Sequence, residues 1–435
     1  MQVDKITLQD LGLFEQEHDI ASHLNFCKSN GGKAQLIQYL HTPLSSLSSI
    51  QEREAAIQAF IENLASVDAL KISNGTCLVV EKFFETGFKP IPAHIGPAGA
   101  YWYQFWNRSD YSLLQYSVEH IVLLVQNLLH WIEIFENQHQ HPVIAGLSKR
   151  IQQTCSAPEL ANLPINIKEA SPQTYLRLAH YFLYYYKSNA KQLLSYFYEI
   201  DALYSFAKAH QNYHFSFPVW LDDTLPLLEV ETAVHPLVEN AVGNNLSLSS
   251  VQNFLFLTGA NMAGKSTFIK TIGIIVYLSH IGIGAPASKV RLTLMDGLIT
   301  NLNIEDNVVK GESYFYNEVQ RIKNTILKIK DGKKNCVLID ELFKGTNILD
   351  AMKCSTKVIE GLQKNRTSLF ILSTHLYEIS DQIKQNKNIQ CSYFETTVQS
   401  HSLSFSYQLK QGVSQDRIGY LILEREGVVD LLDQL

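Results

Sequence analysis

The chain has 435 residues, 46% apolar and 18% charged, so it can bury a full core and form two domains. Its formal net charge of −6 gives no general attraction to nucleic acid, which would need a local basic surface. Six cysteines without a C-x-x-C pair, no signal-peptide pattern and no apolar run near ~20 residues exclude a disulfide scaffold and a membrane span, so we expect a cytoplasmic protein with no membrane partner.

From about residue 10 to residue 215, apolar residues recur three and four positions apart, which predicts helices, for example over 121–135 and 175–209. After residue 217, short apolar runs alternate with helical segments, a pattern typical of a parallel sheet wrapped by helices. We therefore predict a helical domain over 1–216 and an α/β domain over 217–435 with a short C-terminal helical segment. The predicted strands are Phe254–Thr258, Gly297–Thr300, Cys336–Asp340 and Ser368–Ser373.

A glycine-rich loop follows the first of these strands and precedes an amphipathic helix. It matches the pattern G-x-x-x-x-G-K-S, in which backbone N–H groups and the helix start surround phosphates. In that pattern Lys265 would neutralise β- and γ-phosphate oxygens, and the Ser266 hydroxyl would hold Mg²⁺. The loop predicts a P-loop ATPase with ATP and Mg²⁺ as ligands, and its residues are Gly259, Ala260, Asn261, Met262, Ala263, Gly264, Lys265, Ser266 and Thr267.

Two further apolar strands end in residues that complete such a site. Asp340 would bind Mg²⁺, and Glu341 would orient or deprotonate the attacking water. His375, at the end of a later strand, would hydrogen-bond the γ-phosphate or that water. Each pattern alone also fits a solvated strand end or a structural histidine, and the order of all three after the loop favours the catalytic interpretation.

Ser313 lies immediately before a long amphipathic helix. It fits an ordinary N-cap, and it equally fits a group that contacts a second γ-phosphate across a dimer interface. Both interpretations stay open at this point.

The whole series resembles the MutS proteins of DNA mismatch repair, relatives of the ABC ATPases. The Asn261-Met262 pair inside the loop, the lead-in His235-Pro-Leu-Val-Glu239, Asp340-Glu341 followed by Gly345-Thr346, and Thr374-His375 carry the resemblance, which extends from about 217 to 424. It reaches more weakly to residues 10–57, which look like the start of the family's helical core and levers. The resemblance implies an α/β P-loop ATPase of the ABC/MutS type preceded by an all-α core and lever domain, working as a homodimer with composite ATP sites.

Several positions depart from the family pattern. Lys310-Gly-Glu-Ser313 replaces the signature Ser-Gly-Arg-Ser, and Phe343-Lys344 replaces Gly-Arg. Glu312 puts an acid where the family has a base, near the partner's phosphate, which predicts slow hydrolysis unless Lys310 compensates for its charge. The adenine-stacking aromatic expected before Asn244 falls on Ala241 or Val242, so the resemblance leaves Tyr407 to stack the base.

The family's mismatch-reading and connector domains have no counterpart in this sequence. We therefore expect an ATPase that couples hydrolysis to lever motion on duplex or branched DNA; the alternative is a nucleotide-switched protein-interaction module that binds no DNA. Basic and aromatic residues alternate over 175–210, and an aromatic cluster spans Tyr101–Trp106. For the first stretch, packing between helices is favoured over binding to nucleic acid. For the second, packing in the core or at an interface is favoured over stacking on bases.

Overall fold

The computed structural model describes residues 1–14, 19–138, 140–161, 163–302, 314–399, 402–414, 424 and 427–432. The chain forms two compact units. Unit 1 contains Met1–His23, Thr42–Ile50 and Asn212–Leu435, and unit 2 contains Leu24–His41 and Gln51–Gln211.

The strands all belong to unit 1. In chain order they are β1 (Gln2–Val3), β2 (Val219–Leu221), β3 (Leu227–Ala233), β4 (Asn244–Ser249), β5 (Phe254–Thr258), β6 (Lys289–Thr293), β7 (Gly297–Asn301), β8 (Asn335–Asp340), β9 (Ser368–Ser373), β10 (Ile389–Gln399) and β11 (Ser402–Gln411).

The helices are divided between the two units. In chain order they are α1 (Lys5–Asp10), α2 (Ile20–His23), α3 (Asn30–His41), α4 (Leu47–Glu62), α5 (Leu64–Asp68), α6 (Asn74–Phe83), α7 (Pro97–Trp106), α8 (Arg108–Ile134), α9 (Pro142–Cys155), α10 (Pro158–Ala161), α11 (Pro172–Tyr185), α12 (Lys187–Asn212), α13 (Lys265–Ile281), α14 (Tyr314–Ile329), α15 (Ile348–Leu362), α16 (Ser380–Ile383) and α17 (Val428–Leu432).

The main sheet of unit 1 has the strand order β1-β7-β8-β9-β5-β10-β11 within the described residues. Every neighbouring pair is parallel except β10 and β11, which are antiparallel. The residues of β5, β7 and β9 are all buried, as expected for parallel strands covered on both faces. The four predicted strands are confirmed, with ends that differ by at most one residue.

A second, smaller sheet has the order β2-β6-β3-β4. Its strand β3 is antiparallel to both β4 and β6. The residues of these strands were not predicted as strands, because Val219–Leu221 is short and Asn244–Ser249 is rich in polar residues.

The first residues of the chain are part of unit 1. The amide of Gln2 donates a 2.7 Å hydrogen bond to the carbonyl of Asp296, and β1 pairs with β7. At the end of α1, Asp10 accepts hydrogen bonds from the Thr300 hydroxyl (2.7 Å) and the Leu302 amide (3.0 Å). The compact units thus differ from the predicted division at 216/217, because these long-range bonds place β1 and α1 beside the sheet.

Unit 2 is helical throughout its described residues. Its longest helix, α8, buries one side along its length, from Leu114 through Val125 to Trp131. The predicted helical stretch 175–209 is divided at Tyr186, whose buried hydroxyl donates to the carbonyl of Thr154 at 2.8 Å. A tyrosine hydroxyl that is buried requires such an acceptor, so the break is fixed by packing.

No helix among the residues that the structure describes combines the length and the apolar character required to cross a membrane.

We predict that Asp10→Ala lowers the free energy of unfolding of unit 1 by roughly 2–4 kcal/mol, because it leaves two buried donors without their acceptor. The measurement is the midpoint of urea unfolding followed by circular dichroism. Asp381→Ala is the matched control, since its pair with Lys384 is largely exposed and should contribute little. Equal midpoints for the two variants would contradict the structural role of Asp10.

Candidate functional site: a phosphate loop at the carboxyl edge of the sheet

The predicted phosphate-binding loop joins the end of β5 to the start of α13. Gly259 has a φ of 136°, and a Cβ at this position would lie 3.1 Å from the carbonyl oxygen of Phe394. Gly264 is the N-cap of α13 with a φ of 105°. Side chains other than hydrogen are strained in this region of φ, so both ends of the loop require glycine.

Lys265 lies inside this loop. Its Nζ donates hydrogen bonds to the carbonyl oxygens of Gly259 (2.7 Å) and Ala260 (2.9 Å), and the residue is only 5% exposed. Burial lowers the pKa of Lys265, while the nearby Glu341 and Asp340 carboxylates act in the opposite direction. The lysine is thus a buried cation whose present partners are neutral carbonyls, and an anionic ligand would be a stronger partner.

Asp340 lies at the end of β8 and joins three elements. The Ser266 hydroxyl, at the start of α13, donates to Oδ2 at 2.5 Å, and the Ser373 hydroxyl, at the end of β9, donates to Oδ1. Ser373 is the register partner of Asp340 on the neighbouring strand. A carboxylate and hydroxyls in contact are hard oxygen donors, the kind that Mg²⁺ binds.

Glu341 follows in a left-handed backbone conformation with a φ of 55°. Nδ1 of His375 lies 3.1 Å from its Oε1, and Nζ of Lys344 lies 2.7 Å from its Oε2. Burial raises the pKa of Glu341, but the hydrogen bonds from His375 and Lys344 outweigh it and lower the pKa to about 2. The carboxylate is therefore ionised near neutral pH and accepts hydrogen bonds only.

A cavity of about 570 Å³ opens beside the loop. Glu341 and Tyr407 lie on its wall, as do Ala241 and Val242, the two positions where the resemblance predicted an aromatic residue. The loop residues on its wall are Asn261, Met262, Gly264, Lys265, Ser266 and Thr267.

Tyr407 occupies a bulge in β11. Phe394 pairs with Leu409 and Thr396 pairs with Phe405, so three residues of β11 lie opposite one residue of β10. Tyr407 itself has a φ of 53°, an unfavourable conformation for a large side chain. A bulge redirects side chains, and strained residues of this kind concentrate at functional sites.

Asn244 fixes this bulge from the second sheet. Its Nδ2 donates to the carbonyl of Tyr407 at 3.0 Å, and its Oδ1 accepts from the amide of Leu409 at 2.7 Å. The side chain thus replaces the regular strand pairing at the point where the ladder is interrupted.

Comparison with known proteins finds a family that is similar to part of the chain. Residues 255–430 match the family described as MutS domain V. This region of the chain is thus similar to the MutS family, as are the relatives that match about half of the chain.

Among individual relatives, the DNA mismatch repair protein MutS of Bacillus subtilis is 30% identical over 243 residues, which cover 54% of this chain and 27% of that protein. The protein of the same name from Ehrlichia ruminantium is 31% identical over 232 residues, covering 53% of this chain and 28% of that protein. The one from Listeria welshimeri is 28% identical over 232 residues, covering 52% and 26%. The chain thus spans little more than a quarter of the length of these MutS relatives at its match.

The site residues expected from the MutS resemblance divide into two groups. The loop, Asp340, Glu341, His375 and Tyr407 lie at or directly beside the one cavity. Ser313 lies outside the described residues, and its role in a partner's site stays a prediction.

Sequence reasoning missed the partners of these side chains. Ser373 could have been found, since it ends a parallel strand predicted to lie near that of Asp340. Lys344 was noted only as a departure from the MutS pattern, and its contact with Glu341 depends on a turn that no local pattern signals. Asn244 was noted only as part of a motif.

Proposed function

We propose that the protein is a MutS-type ATPase with a P-loop fold of the ABC class, which binds ATP with Mg²⁺ and hydrolyses it. One observation carries the proposal: Lys265, the hydrogen-bonded pair Ser266 and Asp340, and the pair Glu341 and His375 meet at one edge of the sheet beside the cavity. This combination supplies a cation for phosphate, oxygen donors for a metal and a carboxylate for water.

Each side chain at the cavity has a separate role. Lys265 exchanges its carbonyl partners for the β- and γ-phosphate oxygens. Glu341 accepts a hydrogen bond from the attacking water and orients it, and His375 donates to the γ-phosphate. Tyr407, which the bulge in β11 holds at the cavity, stacks on the adenine.

Ser266 and Asp340 would hold Mg²⁺. Both offer oxygen ligands within a short distance of each other, which fits the preference of this ion. When bound, Mg²⁺ neutralises charge on the phosphate oxygens.

We further propose that two copies form composite ATP sites, with Ser313 of each copy acting in the site of the other. ATP binding would then close the pair and hydrolysis would reopen it, moving the helical unit as a lever on duplex or branched DNA. The names of the relatives, which are DNA mismatch repair proteins, support DNA as the partner.

A second candidate is a nucleotide-switched module that binds another protein and no DNA. The aromatic cluster on α7 favours it, because Tyr101, Trp102, Phe105 and Trp106 are 60–75% exposed. The cluster is therefore not part of the core, which leaves the interpretation that it is an interface. Exposed aromatic patches of this kind are typical of surfaces that bind other proteins.

We predict that Lys265→Ala and Glu341→Gln separate binding from turnover. Lys265→Ala should weaken ATP binding at least about a hundredfold, because two charge-assisted contacts to phosphate are lost. Glu341→Gln should bind ATP within about threefold of the parent and lose at least about a hundredfold in turnover, because the amide orients water poorly. Calorimetry gives the affinities, and phosphate release gives the rates.

Lys289→Ala serves as the control for the first variant, since Lys289 is an exposed lysine paired with Glu231 in the second sheet. Glu360→Gln on α15 controls for the second. Normal hydrolysis by Glu341→Gln would show that the assigned chemistry is wrong.

We predict that Tyr407→Ala weakens ATP binding about 5- to 100-fold, since stacking of a base on an aromatic ring contributes roughly 1–3 kcal/mol. Tyr407→Phe keeps the ring and should bind within about twofold of the parent. Triphosphate without a base should bind all three proteins alike. If Tyr407→Ala retains full affinity for ATP, the adenine lies elsewhere.

We predict that DNA stimulates phosphate release at low salt and that the stimulation falls as salt is added, because phosphate contacts release counterions. Homoduplex, mismatched and branched DNA are compared at equal nucleotide concentration. If none of these DNAs changes the rate of hydrolysis, the DNA-dependent ATPase is excluded and the nucleotide-switched protein-interaction module is favoured.

A further inference from the structure

A buried carboxylate lies beneath the turn that follows Glu341. Glu318, on α14, is 1% exposed. Its Oε1 accepts a 3.1 Å hydrogen bond from the amide of Lys344, and its Oε2 accepts a longer one, 3.4 Å, from the amide of Gly345. Burial raises the pKa of Glu318, while hydrogen bonds from these backbone amides act against the rise. Burying a carboxylate is unfavourable in free energy unless it is hydrogen-bonded, so these two bonds are needed to keep Glu318 in its buried position.

The turn above Glu318 is strained. Glu341 has a φ of 55° and Phe343 a φ of 61°, so two residues within three positions adopt the left-handed conformation without being glycine. This conformation is unfavourable for a residue with a side chain and persists only where surrounding contacts fix it.

α14 provides those contacts. Besides the two hydrogen bonds that Glu318 accepts, the ring of Phe315 on the same helix lies 5.6 Å from the ring of Phe343, which is itself 4% exposed. The helix α14 therefore holds the turn in two ways. The ring of Phe315 packs near Phe343, and the carboxylate of Glu318 accepts the amides of the next two residues.

This turn also holds the carboxylate of Glu341 in place. Lys344 is fixed at its backbone by Glu318, and its Nζ lies 2.7 Å from Oε2 of Glu341. A path of direct contacts thus runs from Glu318 through the backbone and side chain of Lys344 to the group that faces the cavity.

We infer that Glu318 is a positioning residue for hydrolysis: by accepting the amides of Lys344 and Gly345 it fixes the strained turn that aims Glu341 at the attacking water. This inference rests on the proposed ATPase function. Within the part of the chain that the structure describes, the hydrogen bonds of Glu318 come from this turn and not from the phosphate loop, so it should govern the rate of turnover and leave ATP affinity to that loop.

Glu318→Gln in the full chain tests the inference. The amide has nearly the same shape, but it offers one acceptor oxygen and places an NH₂ group opposite the second backbone N–H. We expect kcat to fall at least about tenfold while KM and the Kd for ATP stay within about threefold, the pattern of a group that acts in the transition state only. Glu360→Gln, the same change at a half-exposed position of α15, should leave all three unchanged.

Hydrogen exchange of the peptide containing residues 341–346 gives a readout that needs no turnover. It should exchange at least about tenfold faster in Glu318→Gln, because the two amides lose an acceptor, while a peptide from β9 exchanges as in the parent. Parent-like kcat or parent-like exchange in Glu318→Gln overturns the inference. So does a joint loss of affinity, turnover and urea midpoint, which would mean a general structural role.

The outcomes also separate this inference from the proposed function. If the parent neither binds nor hydrolyses ATP, the proposed function fails, and the exchange of residues 341–346 alone decides whether Glu318 holds the turn. If Lys265→Ala abolishes binding and Glu318→Gln hydrolyses normally, the function stands and the role of Glu318 is wrong.

Discussion

The parallel alignment of β5, β8 and β9 is the constraint on which the site depends. Parallel strands end at the same edge of a sheet, so residues far apart in the chain meet where these strands stop. Asp340 is in register with Ser373, and the amide of Thr374 donates to the carbonyl of Leu257 at 2.9 Å. The hydroxyl of Ser266 then links the start of α13 to the same carboxylate. The spacing of the loop, of Asp340 and of Glu341 therefore follows from the position of this one edge.

Much of this arrangement could be predicted because its signals are local. A buried parallel strand is a short apolar run, and the strands at 254–258 and 368–373 were found with their observed ends. The phosphate loop has a fixed spacing that backbone geometry imposes. The rest depends on contacts between distant residues. β1 is two residues long and exists through its pairing with β7, and Tyr407 reaches the cavity through a bulge that Asn244 fixes from another sheet.

The tyrosines of the helical unit also show that a local sequence pattern does not reveal contacts between distant residues. Their spacing over 175–210 favours packing between helices but is also compatible with stacking on nucleic-acid bases. In the structure Tyr175, Tyr186 and Tyr204 are buried with their hydroxyls bonded, which supports packing, whereas Tyr184 and Tyr185 are exposed. Periodicity marks which residues share a helix face, and the partner of that face is decided by other helices.

The contacts of Lys265 affect how the loop selects its ligand. Its ammonium group donates to two carbonyls of its own loop, and the residue is almost completely shielded from water. The ammonium group has three N–H donors, two of which are used by these carbonyls, and a phosphate oxygen would be a stronger, charge-assisted partner than either. A lone phosphate ion would contact little beyond the lysine, whereas the proposed nucleotide would also reach Ser266 and the bulge at Tyr407, which line the same cavity. Under the proposed function, the loop would therefore favour a nucleotide over the inorganic anions that surround it.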